Sequence, residues 1–261
     1  MNIMSNNKII ENAIKEWAQS KKAFISLYTY AWEIEEWRKL TGVHQVKRML
    51  EIGSGSGWFL ATAVALGFAE EGVGVDPAIS EDGTSIDEIR TTESVIKRLG
   101  LSDRVHFRIC TFEDFLRTAL PKDEKYDLLV FRNTLHHLYP RSKQSPVERE
   151  LLDKCIEDLR SALGLLNAPG YLYIMEMTRP SKLYAVTYNL YRTWRGVPTI
   201  NWDSKRTPFE WRLILKKAGF MWIGVTRLPA HYPLLLNIPG GHILAKLLSC
   251  QFLAAACALK P

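Results

Sequence analysis

The residues best suited to chemistry lie in the run MLEIGSGSGWFL, where Gly53, Ser54, Gly55 and Gly57 separate an apolar stretch from a helix-forming one. Glycines at such a turn accept positive φ and leave bare backbone N–H groups for a ligand at the N-terminus of a helix. About twenty residues on, the next apolar run, GVGVD, ends in Asp76, placed so that its carboxylate can accept from both hydroxyls of a ribose. A dinucleotide fingerprint would need glycine where Trp58 stands, and the indole would crowd a pyrophosphate. The Gly-Lys-Ser/Thr ending of a phosphate-binding loop is absent, and no basic residue in the loop can neutralise phosphate. An adenosine ligand without phosphates fits these residues better.

A second group follows YDLLVF. Here Asn133 precedes the pair His136 and His137. Imidazole titrates near neutral pH, which makes His137 the first choice for a general base and His136 the second. The same pair would equally serve packing and hydrogen bonding. Glu176 directly follows the run YLYIM, where it either faces a substrate or forms an ordinary ion pair at a strand end.

These residues need a scaffold, and the hydrophobic pattern supplies one. Apolar runs at 49–52, 72–76, 105–109, 127–131, 171–175, 221–228 and 252–259 are short and continuous, as in strands covered on both faces. Helices are expected over Gly57–Gly67, over Ile86–Leu99 closing at Gly100, over Glu148–Leu165, and over Pro208–Ala218 with Thr207 as cap and Gly219 as stop. The alternation predicts an α/β, doubly wound, mostly parallel seven-stranded sheet with helices on both faces and an antiparallel last strand. Residues 6–40 read as helical, so 1–44 form an N-terminal helical cap on a domain spanning 45–261. Stretches 177–206 and 229–250 are additions over the carboxyl edge of the sheet, where ligands bind in this architecture.

The combination Glu51-Ile-Gly-Ser-Gly-Ser-Gly57, Val-Gly-Val-Asp76 and YDLLVFRNTLHHL (126–138) closely resembles class I S-adenosylmethionine-dependent methyltransferases, in particular their small-molecule branch. The resemblance covers about residues 45–226 and implies a Rossmann-like fold with S-adenosylmethionine as cofactor and S-adenosylhomocysteine as product. It further implies that Gly53, Ser54, Gly55 and Gly57 pass along the methionine and ribose. Glu51 would fix the loop and the amino group, Asp76 would bind the ribose, and Pro77 and Ala78 would flank the adenine. Cys110, Thr111, Phe112 and Glu113 would lie beside the adenine. Asn133 would face the methionine end, and His137 the methyl-transfer site. Where the family often has an aspartate for the adenine amino group, this chain has Thr111, so Glu113 or backbone would take that contact.

The acceptor side is expected in the additions. Tyr184, Tyr188 and Tyr191 recur at helical spacing, with Trp194 following. This aromatic face either lines a pocket for a flat or greasy acceptor or docks the helix on the core. Tyr30, Trp32 and Trp37 are similar lid candidates. Arg179, Arg192, Arg195, Lys205 and Arg206 make the 177–206 region basic, which a solvated face explains as well as an acidic substrate does.

Composition narrows the remaining classes. A net charge of +6 over 261 residues, without a lysine–arginine block, gives no case for nucleic-acid binding. Four separated cysteines make neither a zinc site nor a disulfide framework, so no metal is expected. The N-terminus lacks the apolar core of a signal peptide, no run is long enough to span a membrane, and a cytoplasmic enzyme is expected. The Pro/Gly-broken 229–250 stretch leaves peripheral membrane contact open. The leading expectation is methyl transfer to a small hydrophobic or aromatic metabolite. The alternatives are an RNA or protein methyltransferase, a non-catalytic cofactor-binding scaffold and, more distantly, a nicotinamide oxidoreductase.

Overall fold

The computed structural model describes residues 27–79, 84–180, 182–194, 196, 198–228 and 250–258. Nearly all of the expected 229–250 addition lies outside these residues, as does the first part of the N-terminal cap.

The chain runs α1 (Leu27–Thr41), β1 (Val46–Ile52), α2 (Trp58–Ala65), β2 (Ala69–Asp76), α3 (Ile86–Arg98), β3 (Val105–Ile109), α4 (Phe112–Ala119) and β4 (Tyr126–Arg132). It continues with α5 (Leu135–Leu138), α6 (Ser145–Leu163), β5 (Leu166–Met177), α7 (Lys182–Trp194), α8 (Pro208–Ala218), β6 (Phe220–Leu228) and β7 (Gln251–Ala258). The strands form one sheet in the order β3-β2-β1-β4-β5-β7-β6. Only β7 runs against its neighbours, so the doubly wound sheet and its antiparallel last strand agree with the sequence pattern. The short helices α4 and α5 are additions to that pattern.

Alternation along each central strand feeds two apolar layers. Leu50, Ile52, Leu129, Phe131, Leu172 and Ile174 face a core shared with α4, α6 and α8. Met49, Leu128, Val130, Tyr173 and Met175 face the other core, built with α1, α2 and α3. Burial on both faces is the physical reason these strands read as unbroken apolar runs.

Local chemistry fixes the helix ends. Ser85 and Glu88 form a capping box at α3, and Thr207 and Glu210 form another at α8 with Pro208 in the first turn. α8 stops at Gly219, whose φ is 102°, a conformation glycine adopts without strain. No helix among the described residues is long and apolar enough to cross a membrane. Cys155, Cys250 and Cys257 are buried, Cys110 is half-buried, and all four are free thiols.

Candidate active site

The parallel strands β1, β2, β4 and β5 all end at one edge, and the glycine turn, Asp76, Asn133 and Glu176 lie at or just beyond those strand ends. The turn after β1 is locked to β2: the N–H groups of Gly53 and Ser54 both donate to the carbonyl of Val75, at 2.8 and 3.1 Å. Gly57 has φ 81°, and a Cβ there would lie 2.3 Å from the Phe107 ring. Gly53 has φ 66°, and a Cβ there would meet Thr134 at 2.3 Å. Glycine is therefore required at both positions by conformation and by space.

Asp76 closes the turn from the side. Its Oδ2 accepts from Gly55 N at 2.9 Å and its Oδ1 from Ala78 N at 2.8 Å. Each oxygen retains a second lone pair for a ligand hydroxyl. Beside Asp76, Ile79 and Ile109 are each 48% exposed, and Ile109 is the register partner of Asp76 on β3. Their position only became informative once β2 and β3 were paired. Ile79 and Ile109, which sequence reading missed, join the expected Phe112, whose ring is buried, as an apolar flank at the Asp76 end of the turn. Pro77 and Ala78 continue from Asp76 at intermediate burial.

The other end of the turn is polar and unsatisfied. Glu51 is 2% exposed, and its Oε2, with Ser54 Oγ and Asn133 Oδ1, is buried without a hydrogen-bond partner. Such groups cost free energy unless something pairs with them. Burial pushes the Glu51 carboxyl up to about 8, with nearby Arg132 opposing and Glu33 reinforcing the rise. Asn133 and Ala78 both hold positive φ, 53° and 55°. This conformation is uncommon for residues other than glycine and tends to collect at functional sites. The buried polar atoms and the glycine cradle fit the amino-acid end of S-adenosylmethionine, and Asp76 with its apolar flank fits the adenosine end.

Behind Glu51 stands a buried ion pair that no local pattern in the sequence announces. Arg132, at the end of β4, donates from Nε and Nη2 to Glu33 of α1 at 2.8 and 2.9 Å. Tyr173 Oη adds a third hydrogen bond to Glu33 at 3.2 Å. The guanidinium lies 4.6 Å from the centre of the Tyr30 ring. Tyr30 is therefore a core residue with a cation–π role, which corrects its expected place in a lid. Trp32 is half-buried beside the same core.

The histidine pair follows on α5. Glu176 is fully buried near the end of β5. Its Oε1 accepts from Leu135 N at 2.7 Å, and its Oε2 lies 2.5 Å from His136 Nδ1. A carboxylate only accepts, so Nδ1 carries the proton and Nε2 is left as the basic nitrogen. His137 is exposed and its ring stacks on that of His136, centroids 4.1 Å apart.

The remaining expectations are placed as follows. Thr111 caps α4, accepting from Asp114 N and donating to Asp114 Oδ2 at 2.8 Å. Glu113 is largely exposed and pairs with Lys154 of α6 at 3.4 Å. The Glu113 carboxylate, in the first turn of α4, is thus engaged by a lysine. On α7, Tyr188 packs against Trp202 at 5.9 Å, whereas Tyr191 is half exposed. The side chain of Tyr184 lies outside the described residues.

A sheet of this order with a glycine turn, an acidic β2 end and a histidine after β4 defines a class I S-adenosylmethionine-dependent methyltransferase. The chain belongs to the methyltransferase domain family, whose profile matches residues 19–223. No curated protein matches the sequence. Among solved structures, an O-methyltransferase family protein from Burkholderia thailandensis is 18% identical with a TM-score of 0.53, over 87% of this chain and 55% of that one. The N,N-8-amino-8-demethyl-D-riboflavin dimethyltransferase of Streptomyces davawensis is 18% identical with a TM-score of 0.54, over 96% of this chain and 57% of that one. The YcgJ protein of Bacillus subtilis is 15% identical with a TM-score of 0.52, over 88% of this chain and 100% of its own. These likenesses speak to the fold, and this chain spans little more than half the length of the first two.

Proposed function

We propose that this chain transfers the methyl group of S-adenosylmethionine to a small, aromatic or hydrophobic acceptor, with His136 rather than His137 as the base. The observation that carries the reading is the ring of unpartnered buried atoms, Glu51 Oε2, Ser54 Oγ and Asn133 Oδ1, around a turn tied to Asp76. S-adenosylmethionine, when bound, supplies a methyl group on a positively charged sulfur. Glu51, Ser54 and Asn133 would hold its amino-acid end, Asp76 its ribose, and Ile79, Ile109 and Phe112 its adenine.

The chain's own work is to orient, exclude water and remove a proton. Glu176 holds the His136 ring and its tautomer, as the carboxylate does in a serine-protease triad. Nε2 then faces the acceptor as a base, and Glu176 stabilises the imidazolium that forms. The half-exposed aromatic side of α7 with Trp202 supplies an apolar wall for a flat acceptor.

The test is calorimetric titration of S-adenosylhomocysteine and, separately, of NAD. Micromolar binding of the first and none of the second is expected. Binding of NAD with no response to S-adenosylhomocysteine would overturn the reading.

A further inference from the structure

Helix α7 carries its polarity inverted. Its polar contacts face the protein. Asn189 donates from Nδ2 to Ile200 O and accepts from Ile200 N, both at 3.0 Å. Arg192 donates to Pro198 O at 2.5 Å, and Tyr188 meets the Trp202 ring. Its apolar residues face out: Val186, Leu190, Tyr191 and Trp194 are 59, 65, 51 and 79% exposed. Val186, Leu190 and Trp194 recur every four residues and so share one side of the helix. A surface helix ordinarily turns such a row to the core and its polar residues to water.

The chain returning from α7 leaves this row uncovered. An open groove of about 370 Å³ lies between the helix and Thr199, lined by Val186, Asn189, Leu190 and Thr193. Contiguous exposed apolar side chains mark an interaction surface, and the charge around this one selects the partner. From Lys182 to Trp202 the sequence has three cations, Lys182, Arg192 and Arg195, and no acidic residue. The partner of Arg192, the Pro198 carbonyl, is neutral. A second copy docked by the same face across a two-fold axis would set these cations against one another. A layer of anionic headgroups would neutralise them. Tyrosine and tryptophan, as at Tyr191 and Trp194, also favour the headgroup level of a membrane.

We infer that α7 seats the protein on an anionic lipid surface, lying flat with Val186, Leu190 and Trp194 sunk into the boundary between headgroups and acyl chains. With 13 residues the helix is about 20 Å long, short of the roughly 30 Å of a bilayer core. It therefore lies in the interface rather than across it. Long arginine side chains reach from such a helix to the phosphates while their stems stay on apolar surface. Because α7 begins shortly after β5 ends, the contact holds the carboxyl edge of the sheet beside the lipid. The inference needs no cofactor and stands apart from the methyl-transfer reading.

The experiment is co-sedimentation of the full chain with two kinds of vesicle, phosphatidylcholine alone and equal parts phosphatidylcholine and phosphatidylglycerol. Binding to the mixed vesicles should be at least tenfold tighter than to the neutral ones and should weaken as salt rises. Leu190→Glu combined with Trp194→Glu should lower affinity for the mixed vesicles tenfold or more. Both side chains point to solvent, so the double variant should keep the wild-type thermal midpoint, which reports that it is folded. Lipid brominated in its acyl chains should quench the tryptophan fluorescence of the bound wild type, and Trp194→Phe, still bound, should be quenched less. Binding to neither vesicle, equal binding to both, or undiminished binding by the double variant overturns the inference. A wild type that ignores vesicles and sediments as a dimer, which the double variant abolishes, would assign the face to a second copy instead.

Discussion

Strands β1 and β4 carry polar groups at both ends, and the two ends are treated in opposite ways. At the amino end, Asp127 Oδ2 accepts from the N–H groups of Lys47 and Arg48 at 2.9 and 2.8 Å, and Oδ1 from Asn167 Nδ2 at 2.8 Å. Arg48 in turn donates to Lys125 O at 3.0 Å and lies over the Tyr126 ring. Every one of these partners comes from the chain itself. At the carboxyl end of the same strands, Glu51, Ser54 and Asn133 keep buried polar atoms with no internal partner. A closed network contributes to stability. An open one is stabilised only by what pairs with it, so the contrast separates the groups that hold the sheet from those that the proposed function assigns to a ligand.

Substitutions can break this contrast, and the largest effect should come from a group at the carboxyl end that is nonetheless closed. Glu33→Ala leaves the Arg132 guanidinium buried without its carboxylate, and about 3–5 kcal/mol of unfolding free energy should be lost, read by urea denaturation. Replacing Arg132 by Met in the same protein should recover part of that loss. Asp127→Ala should cost about 1–3 kcal/mol by the same measurement, while affinity for S-adenosylhomocysteine stays within about twofold. A large loss of affinity there would mean that the two ends are not independent. Asp76→Ala should weaken S-adenosylhomocysteine tenfold or more, about 1.4 kcal/mol, by calorimetry.

The smallest effect sharpens the contrast through pH. The Glu51 carboxyl, held up to about 8 by burial, is mostly neutral at pH 7 in the free protein. A ligand ammonium arriving beside it favours the carboxylate, so binding at pH 7 should release up to about 0.9 of a proton. Calorimetry in buffers of different ionisation enthalpy measures this, and Glu51→Gln should release none. The sign for stability follows from the same shift. A carboxyl whose pKa is raised on folding favours the folded state below its ordinary range. That contribution is lost as pH climbs from about 4.5 to about 8, and the loss should be absent in Glu51→Gln.

Short-range patterns were legible in the sequence and long-range ones were not. The glycine turn, Asp76, the strands and the Thr207–Gly219 limits of α8 each depend on neighbours a few residues away. The Glu33–Arg132 pair joins residues 99 apart in sequence, and nothing local distinguishes either from a surface charge. Adjacent histidines on a helix point about 100° apart, so which of them meets Glu176 was decided by the placement of α5 against β5. Helix α4 was missed because its apolar residues, Phe112, Phe115, Leu116 and Ala119, span only two turns, too few to establish a period.

The Glu33–Arg132 contact also bears on how far the fold can be reduced. Helix α1 precedes the first strand, and Ile34 and Trp37 on it are fully buried in the same core as α2. By order along the chain it looks detachable, a leader before the catalytic domain. Its glutamate nevertheless neutralises the residue that immediately precedes Asn133. Starting the protein at β1 would not yield a smaller methyltransferase. It would strand a guanidinium in an apolar layer at the threshold of the binding site, and any trimmed or grafted version of this scaffold has to take α1 along or redesign position 132.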